Sequence, residues 1–203
     1  FISRNYDAVR KVIAEKTSDP KQRNELAMYS RSLKKDELVK LARNADSKEV
    51  DKLLGDIIKG DASEQNIVPE VLIFLLKDGQ RSAAVCLFDA LILPSSLTFS
   101  DNLLSDIAKA YCYTGKAASL EKKCETVLNS SPRDILAMKI IFYVNLVLGN
   151  YSGAETFLLR MKKEDSSETW AWSHEFELKH AKGVALARKG DFKEALILLR
   201  DAA

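Results

Sequence analysis

The sequence predicts an all-α fold, and three observations carry that expectation. Glycine and proline are scarce, at 8 and 4 in 203 residues, while leucine, alanine, lysine and glutamate are abundant, a composition with high helix propensity. The stretch Gly190-Asp191-Phe192-Lys193-Glu194-Ala195-Leu196 recurs as Gly149-Asn150-Tyr151-Ser152-Gly153-Ala154-Glu155, with a fainter copy at Asn5-Tyr6-Asp7-Ala8-Val9. Each copy joins a turn residue to an aromatic and then a small residue, as at the start of the second helix of a hairpin. The turn glycines Gly79, Gly115, Gly149 and Gly190 also stand 36, 34 and 41 residues apart. Such a period is that of helical hairpins stacked into a solenoid.

Asn5 to Lys16 carries Tyr6, Val9, Val12 and Ile13 on one helical face, and Asp19-Pro20 ends that helix and starts another. Leu26, Met28, Tyr29 and Leu33 form the second helix. Lys35 to Ala45 and Ser47 to Lys59 read as two further short helices separated by an Asp46-Ser47 cap. Gly60-Asp61-Ala62-Ser63-Glu64 then breaks the pattern. Residues 1–60 are thus expected to form degenerate N-terminal hairpins. Residues 61–203 are expected to form repeats at about 64–97, 101–134, 135–165 and 167–203, all in one continuous array.

With each glycine placed at position 15 of a unit of about 34 residues, the Gly115 unit has Ala108 at position 8, Ala110 at 10, Tyr111 at 11, Leu120 at 20, Val127 at 27 and Pro132 at 32. The Gly190 unit has Gly183 at 8, Ala185 at 10, Phe192 at 17, Ala195 at 20, Leu199 at 24 and Ala202 at 27. These two units closely resemble the tetratricopeptide repeat. The Gly79 and Gly149 units resemble it more loosely, with Leu72 and Phe142 in place of the small residue at position 8. The resemblance implies a right-handed superhelical α-solenoid in which small residues at 8 and 20 let paired helices approach closely. Asn5-Tyr6, the Asp-Pro break and the hairpin after it are also similar, over about thirty residues, to the tetratricopeptide subunit of the coatomer vesicle coat.

The separation of 41 before Gly190 exceeds 34 by seven residues, almost two helical turns. Asp165-Ser166-Ser167-Glu168 has capping-box spacing, which predicts a long first helix from about Ser167 to Lys189. Trp170 and Trp172, two apart, diverge by about 200° around such a helix. One is expected in the core and the other exposed, as a candidate interface aromatic.

Charge and composition exclude several functions. Thirty-one basic residues against 29 acidic ones leave a net charge of +2, too little to recruit nucleic acid or anionic lipid over the whole surface. The longest apolar runs, Val71–Leu76 and Ile135–Leu148, fall short of a membrane span of about 18 residues. Cys86, Cys112 and Cys124 lack metal-ligand spacing and fall within predicted helices, where they read as small buried hydrophobes of a reducing, cytoplasmic compartment. His174 and His180 lie six apart, about 120° around a helix, rather than the four apart that a zinc pair needs. Both read as solvated or interface histidines. No phosphate loop, nucleophile elbow or cysteine-histidine constellation is present, so neither catalysis nor a cofactor is expected. The chain opens at Phe1 and closes within a repeat-like helix, which predicts a piece of a longer protein.

The tetratricopeptide resemblance implies a binding groove lined by positions 2, 5, 9 and 12 of each first helix. These are Asn102, Ser105, Lys109 and Cys112; Leu136, Lys139, Tyr143 and Leu146; and Glu177, His180, Val184 and Ala187. The basic, asparagine-rich clamp of chaperone-tail receptors is missing from them. The groove reads as mixed and partly apolar, suited to an extended or helical segment of a partner protein. Asn102, Ser105, Lys109, Lys139, Tyr143, Leu146, His180 and Val184 are its candidate partner-binding residues. The expected role is a non-catalytic scaffold within a larger complex. Pentatricopeptide-like RNA binding is the alternative, opposed by the small net charge, Pro132 and the small residues at positions 8 and 20. Self-association is a third.

Overall fold

The computed structural model describes residues 20–93, 97–164 and 169–202. The expected helix over Asn5 to Lys16, the opening that is similar to the coatomer subunit, and the capping segment Asp165 to Glu168 fall outside these residues. Among the described residues every regular element is a helix. The chain divides into two compact units, 1–99 and 100–203, so the break expected at Gly60 falls inside the first.

The first unit contains α1 (Pro20–Arg43), α2 (Ser47–Ile58), the single turn α3 (Ala62–Gln65), α4 (Ile67–Lys77) and α5 (Arg81–Asp89). One continuous helix, α1, replaces the two expected over Leu26–Leu33 and Lys35–Ala45. Lys34, Lys35 and Asp36 contain no helix breaker, and Lys34 lies inward, 2% exposed, in an ion pair with Glu64 of α3. Continuity turns Met28 and Tyr29 outward, 73% and 58% exposed. Leu38, Val39 and Ala42 of α1 form the core with Val50, Leu54 and Ile57 of α2, Val71, Leu72 and Leu75 of α4, and Ala84 and Phe88 of α5. Arg31 and Lys35 both reach Glu70, fastening α1 to α4.

The second unit contains α6 (Asp101–Tyr113), α7 (Ala117–Ser130), α8 (Ile135–Leu148), α9 (Tyr151–Glu164), α10 (Thr169–Lys189) and α11 (Phe192–Asp201). Ser100 caps α6 by accepting from the Leu103 amide at 3.3 Å, and Asp134 caps α8 by accepting from Ala137 at 2.7 Å. At 21 residues α10 is longer than α8, with 14. Besides pairing with α7, α6 packs directly on α8, while α9 packs on both α8 and α10.

The turns within the paired helices share one geometry. Gly79, Gly115, Gly149 and Gly190 all have positive φ, between 72° and 93°. Each donates to the carbonyl three residues back at 3.1 to 3.2 Å, and the next residue donates to the carbonyl five back at 2.8 to 3.0 Å. This is the Schellman helix stop, which favours glycine because its pivotal residue is left-handed. The same bonds close α1 at Ala45, which donates to Ala42 at 3.2 Å while Asp46 donates to Leu41 at 3.1 Å. Ala45 has φ 53°, the one described non-glycine residue with positive φ. It lies 34 residues before Gly79, so the α1–α2 hairpin turns with the same bonds around a residue that is not glycine.

Positions 8 and 20, counted from these turns, are Leu38 and Val50, Leu72 and Ala84, Ala108 and Leu120, Phe142 and Ala154, and Gly183 and Ala195. All are buried. At the last pair the approach is tight. A Cβ on Gly183 would lie 2.8 Å from Leu199 Cγ and 3.3 Å from the Ala195 carbonyl oxygen.

Candidate functional site

Three helices of the second unit, α6, α8 and α10, surround a cavity of about 390 Å³. From α6 come Asn102, Ser105, Asp106 and Lys109, a stripe at helical spacing. Tyr143 comes from α8, and His174 and Glu177, three apart, come from α10.

The back of the cavity is an aromatic stack on a basic support. Trp170, 6% exposed, lies one turn before His174, and the rings stack at 4.1 Å with an interplanar angle of 19°. Phe142 meets Trp170 edge-on at 5.3 Å and Tyr143 meets it edge-on at 5.9 Å. Lys139 sets its ammonium 4.6 Å from the Trp170 ring and 3.5 Å from the Asp101 carboxylate, a cation–π contact backed by an ion pair.

His174 is held from both sides. Nδ1 lies 2.8 Å from the Trp170 carbonyl oxygen, which can only accept, so the neutral ring carries its proton there. Nε2 then accepts from the Tyr143 hydroxyl at 2.8 Å, with the Glu177 carboxylate 3.6 Å away. Burial pushes the Tyr143 phenol well above its ordinary range, and the Asp101 and Glu177 carboxylates add to the shift. The hydroxyl therefore stays a donor. On the opposite wall Asp106 holds Lys109 at 2.9 Å.

Four of the expected partner-binding residues, Asn102, Ser105, Lys109 and Tyr143, are brought together here. Lys139 lies behind the wall as a support, while Leu146, His180 and Val184 are outside the lining. The lining of this cavity is polar. Trp170 is core and Trp172 is 54% exposed, with the Lys162 ammonium 3.9 Å from its ring. Asp106 and His174 escape a template of positions 2, 5, 9 and 12. Asp106 lies one residue off it, and His174 belongs to the two extra turns of α10, which a template of constant length cannot register. Of the three cysteines, only Cys124 is fully buried. Cys86 and Cys112 lie on the flanks of their helices, half-buried, which corrects the expectation for those two.

No family model, no curated protein and no solved structure matches this chain. Among the described residues no helix is long and apolar enough to cross a membrane.

Proposed function

We propose that the chain is a non-catalytic scaffold: a right-handed solenoid of tetratricopeptide-like hairpins that grips a segment of another protein across its first helices. The observation that carries this reading is the cavity itself. It is lined by first helices only, α6, α8 and α10, while their second helices α7, α9 and α11 contribute nothing to it. The recurrent Schellman turns support the repeat reading, since identical stops at near-constant spacing orient successive helices alike. A set of converging polar groups in an open recess suits recognition of a chain segment.

Photo-crosslinking tests this. A crosslinking amino acid at Asn102 or Lys109, both exposed on α6, should capture one discrete partner, and the same group at exposed Lys122 on α7 should not. Equal capture from both helices, or capture only from α7, overturns the reading.

A further inference from the structure

The charge of the cavity lining is one-sided. With the His174 ring neutral, the single hydroxyl proton of Tyr143 goes to Nε2, and its oxygen, which also takes a hydrogen bond from the Trp170 side chain, is an acceptor at the lining. The Lys109 ammonium is engaged by Asp106 and the Lys139 ammonium by Asp101. The Glu177 carboxylate lies 3.6 Å from His174 Nε2, a contact that counters its charge only when the imidazole is protonated. Ser105 and Asn102 add a hydroxyl and a side-chain amide, each able to donate as well as accept. Two carboxylates face one ammonium across the lining, which leaves a surplus of negative charge. The upward shift of the Tyr143 phenol is driven first by burial, and the Asp101 and Glu177 carboxylates add to it, in keeping with that charge.

A ligand that answers this charge is a cation, with donors for the two carboxylates. Among the described residues no group of three or more histidines, cysteines or carboxylates is placed to hold a metal ion, so an organic cation fits better. A guanidinium carries five N–H donors in a plane and binds a carboxylate with two parallel bonds, whereas an ammonium is a point charge with three. The acceptors here lie on three helices around about 390 Å³, room for one such head group with part of its stem.

Resting on the scaffold reading above, we propose that this cavity is the specificity pocket for an arginine side chain of the bound segment. The Glu177 carboxylate receives the guanidinium, and Asp106, Ser105 and the Tyr143 oxygen complete its hydrogen bonds.

The test uses the whole chain and three small probes: N-acetyl-arginine amide, the neutral isostere N-acetyl-citrulline amide, and N-acetyl-lysine amide. Binding is followed through the imidazole resonances of His174. The arginine probe is expected to shift them saturably in the millimolar range, with the citrulline probe inert. Glu177→Gln should weaken the arginine probe about tenfold, the cost of losing one charged hydrogen-bond partner. Lys109→Ala should tighten it severalfold by releasing Asp106, a gain that misfolding cannot imitate. A non-saturable response, an equal response to citrulline or lysine, or no change in Glu177→Gln overturns the proposal. If that happens while crosslinking from Asn102 still captures a partner, only the arginine assignment falls. If crosslinking fails as well, the scaffold reading falls with it.

Discussion

The Tyr143 hydroxyl donates to His174 Nε2 across 2.8 Å, joining α8 to the extra turns of α10. Tyr143→Phe keeps the ring, which is 2% exposed, and removes the hydroxyl, which makes this bond and also takes one from the Trp170 side chain. The expected cost is about 0.5–1.5 kcal/mol, read by urea denaturation, with a shift of the His174 imidazole resonances. An unchanged His174 spectrum would show that the bond does not form in solution.

Ala45 occupies a left-handed position that glycine fills in four other turns of the chain. Ala45→Gly should therefore stabilise the protein by about 1 kcal/mol, because the backbone strain removed exceeds the added freedom of the unfolded chain. The reverse change at Gly115, where φ is 72°, should destabilise by a similar amount. Thermal denaturation of both variants checks the pair of opposite signs.

Gly183 and Ala195 mark a close crossing of α10 and α11. Gly183→Ala would add helix propensity but place a methyl group 3.3 Å from the Ala195 carbonyl oxygen and 2.8 Å from Leu199 Cγ. The clash should win, with a net loss of about 1 kcal/mol, and Ala195→Leu should cost about 1–3 kcal/mol through overpacking. A stabilised Gly183→Ala in chemical denaturation would mean that Leu199 moves aside freely.

Glu175 clasps α9 to α10. A hydrogen bond from Lys162 holds its carboxyl below the usual carboxylate range, with burial opposing and Lys179 assisting. A depressed native value means that the stabilisation is present above the ordinary value of 4.5 and is lost as the pH falls through the native one. The group is one-third exposed, so Glu175→Gln should cost less than about 1 kcal/mol at neutral pH and progressively less as the pH is lowered below 4.5. Equal losses at neutral and at acidic pH would contradict the assignment.

The Cys124 thiol is pushed up to about 12, first by burial and further by Asp134, Glu121 and Glu125 against the opposing charge of Lys123. Alkylation at pH 8 should modify half-buried Cys86 and Cys112 in the native state and Cys124 only at the rate of unfolding. Mass-spectrometric mapping of the labelled positions decides this. Early labelling of Cys124 would show that α7 opens locally.

Much of the helical framework was legible in the residues themselves, and the reason is local. A left-handed helix stop favours glycine so strongly that Gly79, Gly115, Gly149 and Gly190 announce their turns, and small or apolar residues at fixed distances from them announce the buried faces. The divergence of Trp170 and Trp172 into core and surface followed likewise from helical geometry alone. Ala45 gave no such signal, because alanine adopts the left-handed state only where surrounding packing supports it. The unbroken α1 was hidden for a related reason, since Lys34 is tolerated in the interior only because Glu64, 30 residues away, meets it there. The cavity is the most tertiary feature of all. Position counting found Asn102, Ser105, Lys109 and Tyr143, but the two extra turns of α10 decide that His174 meets Tyr143, and distant pairings decide which charges remain unanswered. Periodicity and backbone conformation are properties of a segment and are written in it, whereas the balance of donors and acceptors belongs to segments brought together and exists only once they have folded.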